Sequence, residues 1–221
     1  MTRVRLVAML PVVGLIGSCS ASGNADPRIP GSASASPAQN LVSYYDVTGT
    51  TAAEIQAALL RNSPTIDQVP VFAMTEWEVS WKLRTPQPTR ARDCRLEPPR
   101  VQLTIRTVLP RWNSVDEAPA ELRSQWRSFV VALGAHEAGH RDLGLRAVAA
   151  VTDALREARH VRAPTCSQLV AYADAAGQAV LAQFYKENAR YDETTGHGAT
   201  QGVMWPPPVQ SRGTAGPDGK E

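Results

Sequence analysis

The string His136-Glu137-Ala138-Gly139-His140 sets two imidazoles four residues apart with a carboxylate beside the first. On an α-helix that spacing places both rings on one face, one turn apart, where they can reach a single ion. Zinc held by three protein ligands keeps a position for water and lowers the pKa of that water to about 7. A neighbouring carboxylate can then take its proton and pass it to a leaving amine. The pattern points to hydrolysis of a carbonyl compound, a peptide bond foremost, with Zn2+ on His136 and His140 and Glu137 as general base. The competing reading is a pair of incidental histidines on an amphipathic helix. Against it, the two positions continue an apolar face marked by Trp126, Phe129 and Leu133, so the polar groups would be partly buried and would need partners.

Two histidines do not complete a zinc site. The extended metzincin pattern is absent, because Leu143 stands where a glycine is expected and Arg146 where a histidine is expected. His160 lies roughly 30 Å farther along the same helix and suits a cation at a helix C-terminus better. If the chain turns between 160 and 165 and returns antiparallel, the level of residue 138 is regained near residue 187, at about 1.5 Å of rise per residue. The next segment is Tyr191-Asp192-Glu193-Thr194-Thr195-Gly196-His197-Gly198. His197 is the first choice for the third ligand, with Gly196 and Gly198 permitting the tight backbone path that would aim it. Asp192 is the alternative, as a ligand or as an acceptor that orients a histidine. Tyr191 could donate to a developing oxyanion or pack at the helix end.

The elements that must position these residues can be read from periodicity. A short strand over Tyr44 to Val47 leads to a helix over Ala52 to Arg61, started by Thr51 and Glu54. Residues 73 to 83 alternate Ala73, Thr75, Trp77, Val79, Trp81, Leu83 against polar neighbours, and Val101, Leu103, Ile105 repeat the pattern, which predicts an antiparallel pair of half-buried strands. Beyond Pro119 the period becomes helical, from Leu122 to about Arg159. A second helix is predicted from near Thr165 to about Asn188. The expected fold is α+β: a small antiparallel sheet with an N-terminal helix, packed on a long helix carrying the histidine motif and on a second, antiparallel helix.

The ends bear on location. Arg3 and Arg5 precede an apolar run from Leu6 to Ile16, which predicts an export signal over 1–18 that is too short to span a bilayer. Ile16-Gly17-Ser18-Cys19 reads as a bacterial lipobox, so Cys19 would be lipidated and would fix the chain to the cell-envelope side of a membrane. Residues 19–40 are expected to be a flexible tether, 41–204 the folded domain, and 205–221 a disordered Pro-rich tail. In an exported chain, Cys94 and Cys166 are expected to pair as a disulfide. A formal net charge of +2 offers nothing that would draw the chain to nucleic acid.

Tyr45-Asp46-Val47-Thr48-Gly49, Thr75-Glu76-Trp77, Cys94, the 136–140 motif, Cys166 and the 191–198 string together resemble a bacterial domain-of-unknown-function family described as predicted secreted zinc-dependent proteases. The resemblance covers about residues 41 to 203. It implies zinc at His136 and His140, Glu137 as general base, and a role for the string containing His197. The leading expectation is an endopeptidase acting on protein or peptide substrates. The others are a peptidoglycan amidase and a zinc-stabilised envelope lipoprotein that binds without turnover.

Overall fold

Strand β1 (Gln39–Val47) opens the folded chain, followed by helix α1 (Ala52–Asn62) and a small hairpin of β2 (Thr65–Ile66) and β3 (Val69–Pro70). Strands β4 (Met74–Lys82) and β5 (Arg100–Trp112) precede the two long helices α2 (Ala120–Ala158) and α3 (Cys166–Thr195). The computed structural model describes residues 38–86 and 94–206. The residues of the expected export signal, Cys19 and nearly all of the expected tether lie outside the described residues, as do those of the expected tail from 207 onward. Among the described residues, no helix is long and apolar enough to cross a membrane.

The three main strands are ordered β1-β5-β4. β4 and β5 pair antiparallel as their alternation predicts, with Thr75 opposite Thr107 and Trp77 opposite Ile105. β1 runs parallel to β5, so the sheet is mixed. It also starts five residues earlier than expected, because positions 39–44 are exposed on both faces and carry no apolar alternation. β5 continues through Pro110 to Trp112, six residues past the recognisable pattern. Beyond Val108 only β1 still pairs with it, so a residue without an N–H is tolerated there.

Local chemistry explains the helix starts. Thr51 and Glu54 form a reciprocal capping box on α1, and the Thr165 hydroxyl accepts from Gln168 N at the start of α3. The helix α2 buries one face along its whole length, from Leu122 to Ala158, against β4, β5 and α3. Two apolar clusters result. One joins the N-terminal half of α2, up to Leu133, to α1, Trp112 and Trp205. The other joins its C-terminal half, from Ala147, to the sheet and α3. His136, Glu137 and His140 occupy the stretch between them. The disulfide Cys94–Cys166 forms as expected and ties the segment before β5 to the first turn of α3.

Two boundaries differ from the sequence reading. α3 runs to Thr195 instead of ending near Asn188, since no helix breaker intervenes before Gly196 and the buried Asp192 and Thr195 hold its last turns against the rest of the domain. Trp205 is core and not tail: it is 6% exposed, packs its ring on Trp126 and Phe129, and donates its indole N–H to Ala52 O at 3.2 Å. Replacing it should therefore behave as a core truncation. In urea-induced unfolding, Trp205→Ala is expected to cost about 3–5 kcal/mol. A loss within about 0.5 kcal/mol, the range of ordinary surface changes, would return Trp205 to the tail.

Candidate metal centre

The antiparallel α2 and α3 face each other in matched four-residue steps. His140 stands opposite Asn188, with Nδ1 and Oδ1 3.0 Å apart, and His136 stands opposite Asp192. Residue 138 is therefore level with residue 190, a little beyond the position that an equal rise on both helices gives. The Nε2 atoms of the two histidines are 3.3 Å apart, and Asp192 Oδ1 lies 3.3 Å from the first and 3.0 Å from the second. Exposure is 4% for His136, 6% for His140 and 8% for Asp192, so these groups have little water to satisfy them.

Whether such a trio fits a metal depends on where the imidazole protons are. The Trp77 indole N–H can only donate, and it points at Asn188 Oδ1 from 3.3 Å, which identifies that atom as the carbonyl oxygen. His140 Nδ1 must therefore be the donor in its own bond to Oδ1, leaving the neutral ring with a lone pair on Nε2. This lone pair faces the Asp192 carboxylate and the other imidazole. Acceptors converging in a buried space call for a cation, and two histidine nitrogens with a carboxylate oxygen form a donor set suited to zinc or a similar divalent ion. His136, His140 and Asp192 could hold a metal ion.

The electrostatics tell the same story in the absence of an ion. Burial alone would lower the His140 pKa, yet hydrogen bonding and charge from Asp192, aided by Asn188, raise it above the ordinary imidazole value. Burial would raise the Asp192 pKa, but hydrogen bonds to His136 and His140 and their charge hold it well below the usual carboxylate range. A proton on His140 thus supplies part of the positive charge that the trio attracts.

The remaining residues fall into place around it. His197, the first-choice ligand, is not in the cluster: its side chain is 55% exposed and its Nδ1 stays 3.7 Å from Asp192 Oδ1. The reason is the extra length of α3, which keeps Asp192 on the helix and pointing at α2, while His197 falls just past the Gly196 cap. Tyr191 stacks on the His136 ring, 5.1 Å between centroids, and meets His140 edge-on. Its hydroxyl donates to the backbone carbonyl of His136 at 3.2 Å, so it packs and bonds within the fold. A Cβ at Gly139 would overlap that hydroxyl, which accounts for the glycine within the histidine motif.

Glu137 is 6% exposed and lies toward the sheet. Burial raises its pKa against the opposing pull of a hydrogen bond from Thr75 and the charges of the two histidines. Thr75 and Thr107 are cross-strand neighbours whose hydroxyl oxygens are 3.1 Å apart. Among the described residues Glu137 Oε2 is buried without a hydrogen-bond partner. The reading of the sequence did not single out Asn188 or Gln201, and took Thr75 and Trp77 only as strand and resemblance positions. A polar residue four before Asp192 was the available signal for Asn188.

A family model described as a bacterial protein of unknown function (DUF922) spans residues 42–198 of the chain. The chain belongs to this family, in agreement with the resemblance drawn from its motifs. Neither a curated protein nor a solved structure matches it.

Direct metal titration separates the two ligand assignments. The protein is expected to bind one equivalent of zinc; Asp192→Ala should weaken binding by more than about 100-fold, beyond what the loss of a supporting hydrogen bond causes. His197→Ala should leave it within a small factor. The reverse order would restore His197 as the ligand. Because His140 must lose its proton to bind, affinity should be full above its raised pKa and fall as pH drops through it.

Proposed function

We propose that this chain is a zinc-dependent hydrolase, an endopeptidase of the cell envelope, in which His136, His140 and Asp192 hold the ion and Glu137 moves the proton. The observation that carries the reading is the Glu137 carboxylate, buried beside the trio with one oxygen lacking a partner. An unsatisfied buried polar atom costs stability, and such atoms are kept where chemistry needs them. A bound zinc ion would supply Lewis acidity and bring the pKa of water down to about 7. Glu137 takes a proton from the water that adds to the scissile carbonyl and returns it to the departing amine nitrogen, so a peptide and a water become an acid and an amine. Burial makes its carboxylate a stronger base than a solvated glutamate, and Thr75 steadies it from the sheet. Envelope location rests on the export signal and lipobox over residues 1–19, with Cys19 as the membrane anchor.

A second reading, a metal-stabilised lipoprotein without turnover, is favoured by one observation. The three ligands are all less than one-tenth exposed, and a cleft of about 540 Å³ beside them is lined by Gly139 and Tyr191 but by none of the ligands.

Glu137→Gln decides between them. The zinc-loaded protein is expected to cleave an unstructured polypeptide in a chelator-sensitive way, and the variant to keep its zinc while losing about 10²–10⁴ in rate. Equal rates would remove Glu137 from the reaction. Cleavage confined to muropeptide amides would make it a peptidoglycan amidase. No cleavage of either, with unfolding temperature dropping on chelation, would favour the scaffold.

A further inference from the structure

We infer that Gln201 is a positioning residue for His136: it fixes the proton on Nδ1 so that Nε2 is free to bind, and the Gly196-His197-Gly198 turn is the device that delivers it. Its value for metal binding rests on the proposed role of His136, whereas the proton position does not. Gln201 lies beyond residues 42–198, which the family match covers.

An amide can present either end to an imidazole, so the contact of 3.0 Å between Gln201 and His136 Nδ1 is ambiguous by itself. Tyr191 resolves it. The phenol has one proton and two acceptors within reach, the His136 carbonyl oxygen at 3.2 Å and Gln201 Oε1 at 3.4 Å; the shorter contact, to a carbonyl that cannot donate, takes it. The hydroxyl oxygen is then free to accept, and Gln201 Nε2 donates to it from 3.1 Å. The other end of the amide, Oε1, must face His136 Nδ1 and receive its proton. With the amide reversed, the single phenol proton would have to serve both Gln201 and the backbone carbonyl. The bonds close a ring from His136 O through Tyr191 and Gln201 back to His136 Nδ1. Trp77 and Asn188 do the same for His140 from the opposite side.

Reaching this position requires an abrupt reversal after α3. Gly196, His197 and Gly198 have φ of 55°, 53° and 84°, three consecutive residues in the left-handed region that favours glycine. His197 adopts it with a side chain, held by its N–H to Asp192 O at 2.8 Å. A Cβ at Gly198 would stand 3.0 Å from His136 Cγ, so the turn passes directly against the ring. The short 3-10 turn Ala199–Gln201 follows and brings the amide in. The His-Gly string then serves the site through its backbone.

The test is the imidazole ¹⁵N signature of the metal-free protein, recorded where His136 is neutral and His140 still carries its proton. His136 is expected to show a protonated Nδ1 and a lone-pair Nε2. Gln201→Leu should release His136 into a mixture of tautomers while leaving His140, held by Asn188, unchanged as the internal control for folding. Zinc affinity should fall about 10–100-fold, and Gln201→Glu, which keeps an acceptor, should restore both readings. A wild-type His136 protonated on Nε2 would overturn the inference with no variant needed. So would a Gln201→Leu protein with unchanged tautomer and affinity. A protein that passes this test yet cleaves nothing would sustain the positioning role and sink the hydrolase reading.

Discussion

Three acceptor atoms meet in a nearly dry space between two helices, and the arrangement is stable only with positive charge among them. Asp192 Oδ1 and the two imidazole Nε2 atoms lie 3.0–3.3 Å from one another. In water such a cluster would cost little; buried, it must be answered by a cation, a proton or a metal. Much of the rest of the fold can be understood from that demand. The α2–α3 pairing sets the separation, the sheet supports the Glu137 side, and amides of Asn188 and Gln201 hold the outer nitrogens of the rings.

The location of the cluster follows from packing. Apolar contacts are concentrated at the two ends of α2, one cluster built on Trp126 and Phe129 and the other on Val151 and Leu155. The polar segment between them is held rigid from both sides without having to contribute much to stability itself. Aromatic rings extend this framework to the ligands: Trp77 stacks on Tyr185 while its indole N–H anchors Asn188, and Tyr191 lies flat on His136. Positioning by rigid neighbours lowers the reorganisation needed when an ion binds.

The histidine motif was legible because helical period and chemistry coincide over residues 126–140, and the disulfide because two cysteines remain once Cys19 is set aside. The choice between His197 and Asp192 was not. Both sit in the right stretch, and only the true end of α3, set by where Asp192 and Thr195 find burial, decides which one points inward. Gln201 left no trace in the pattern, since its place depends on three left-handed residues in a row. β1 escaped notice over 39–43 because a strand exposed on both faces has no period to read, and Trp205 because three prolines follow it.

The account stands on the location of the ion. Anomalous diffraction at the zinc edge from crystals of the protein grown with zinc measures it directly. The expected result is one strong peak about 2.0–2.2 Å from His136 Nε2, His140 Nε2 and an Asp192 carboxylate oxygen. A peak bound elsewhere, or an empty site in crystals soaked at saturating zinc, would contradict it.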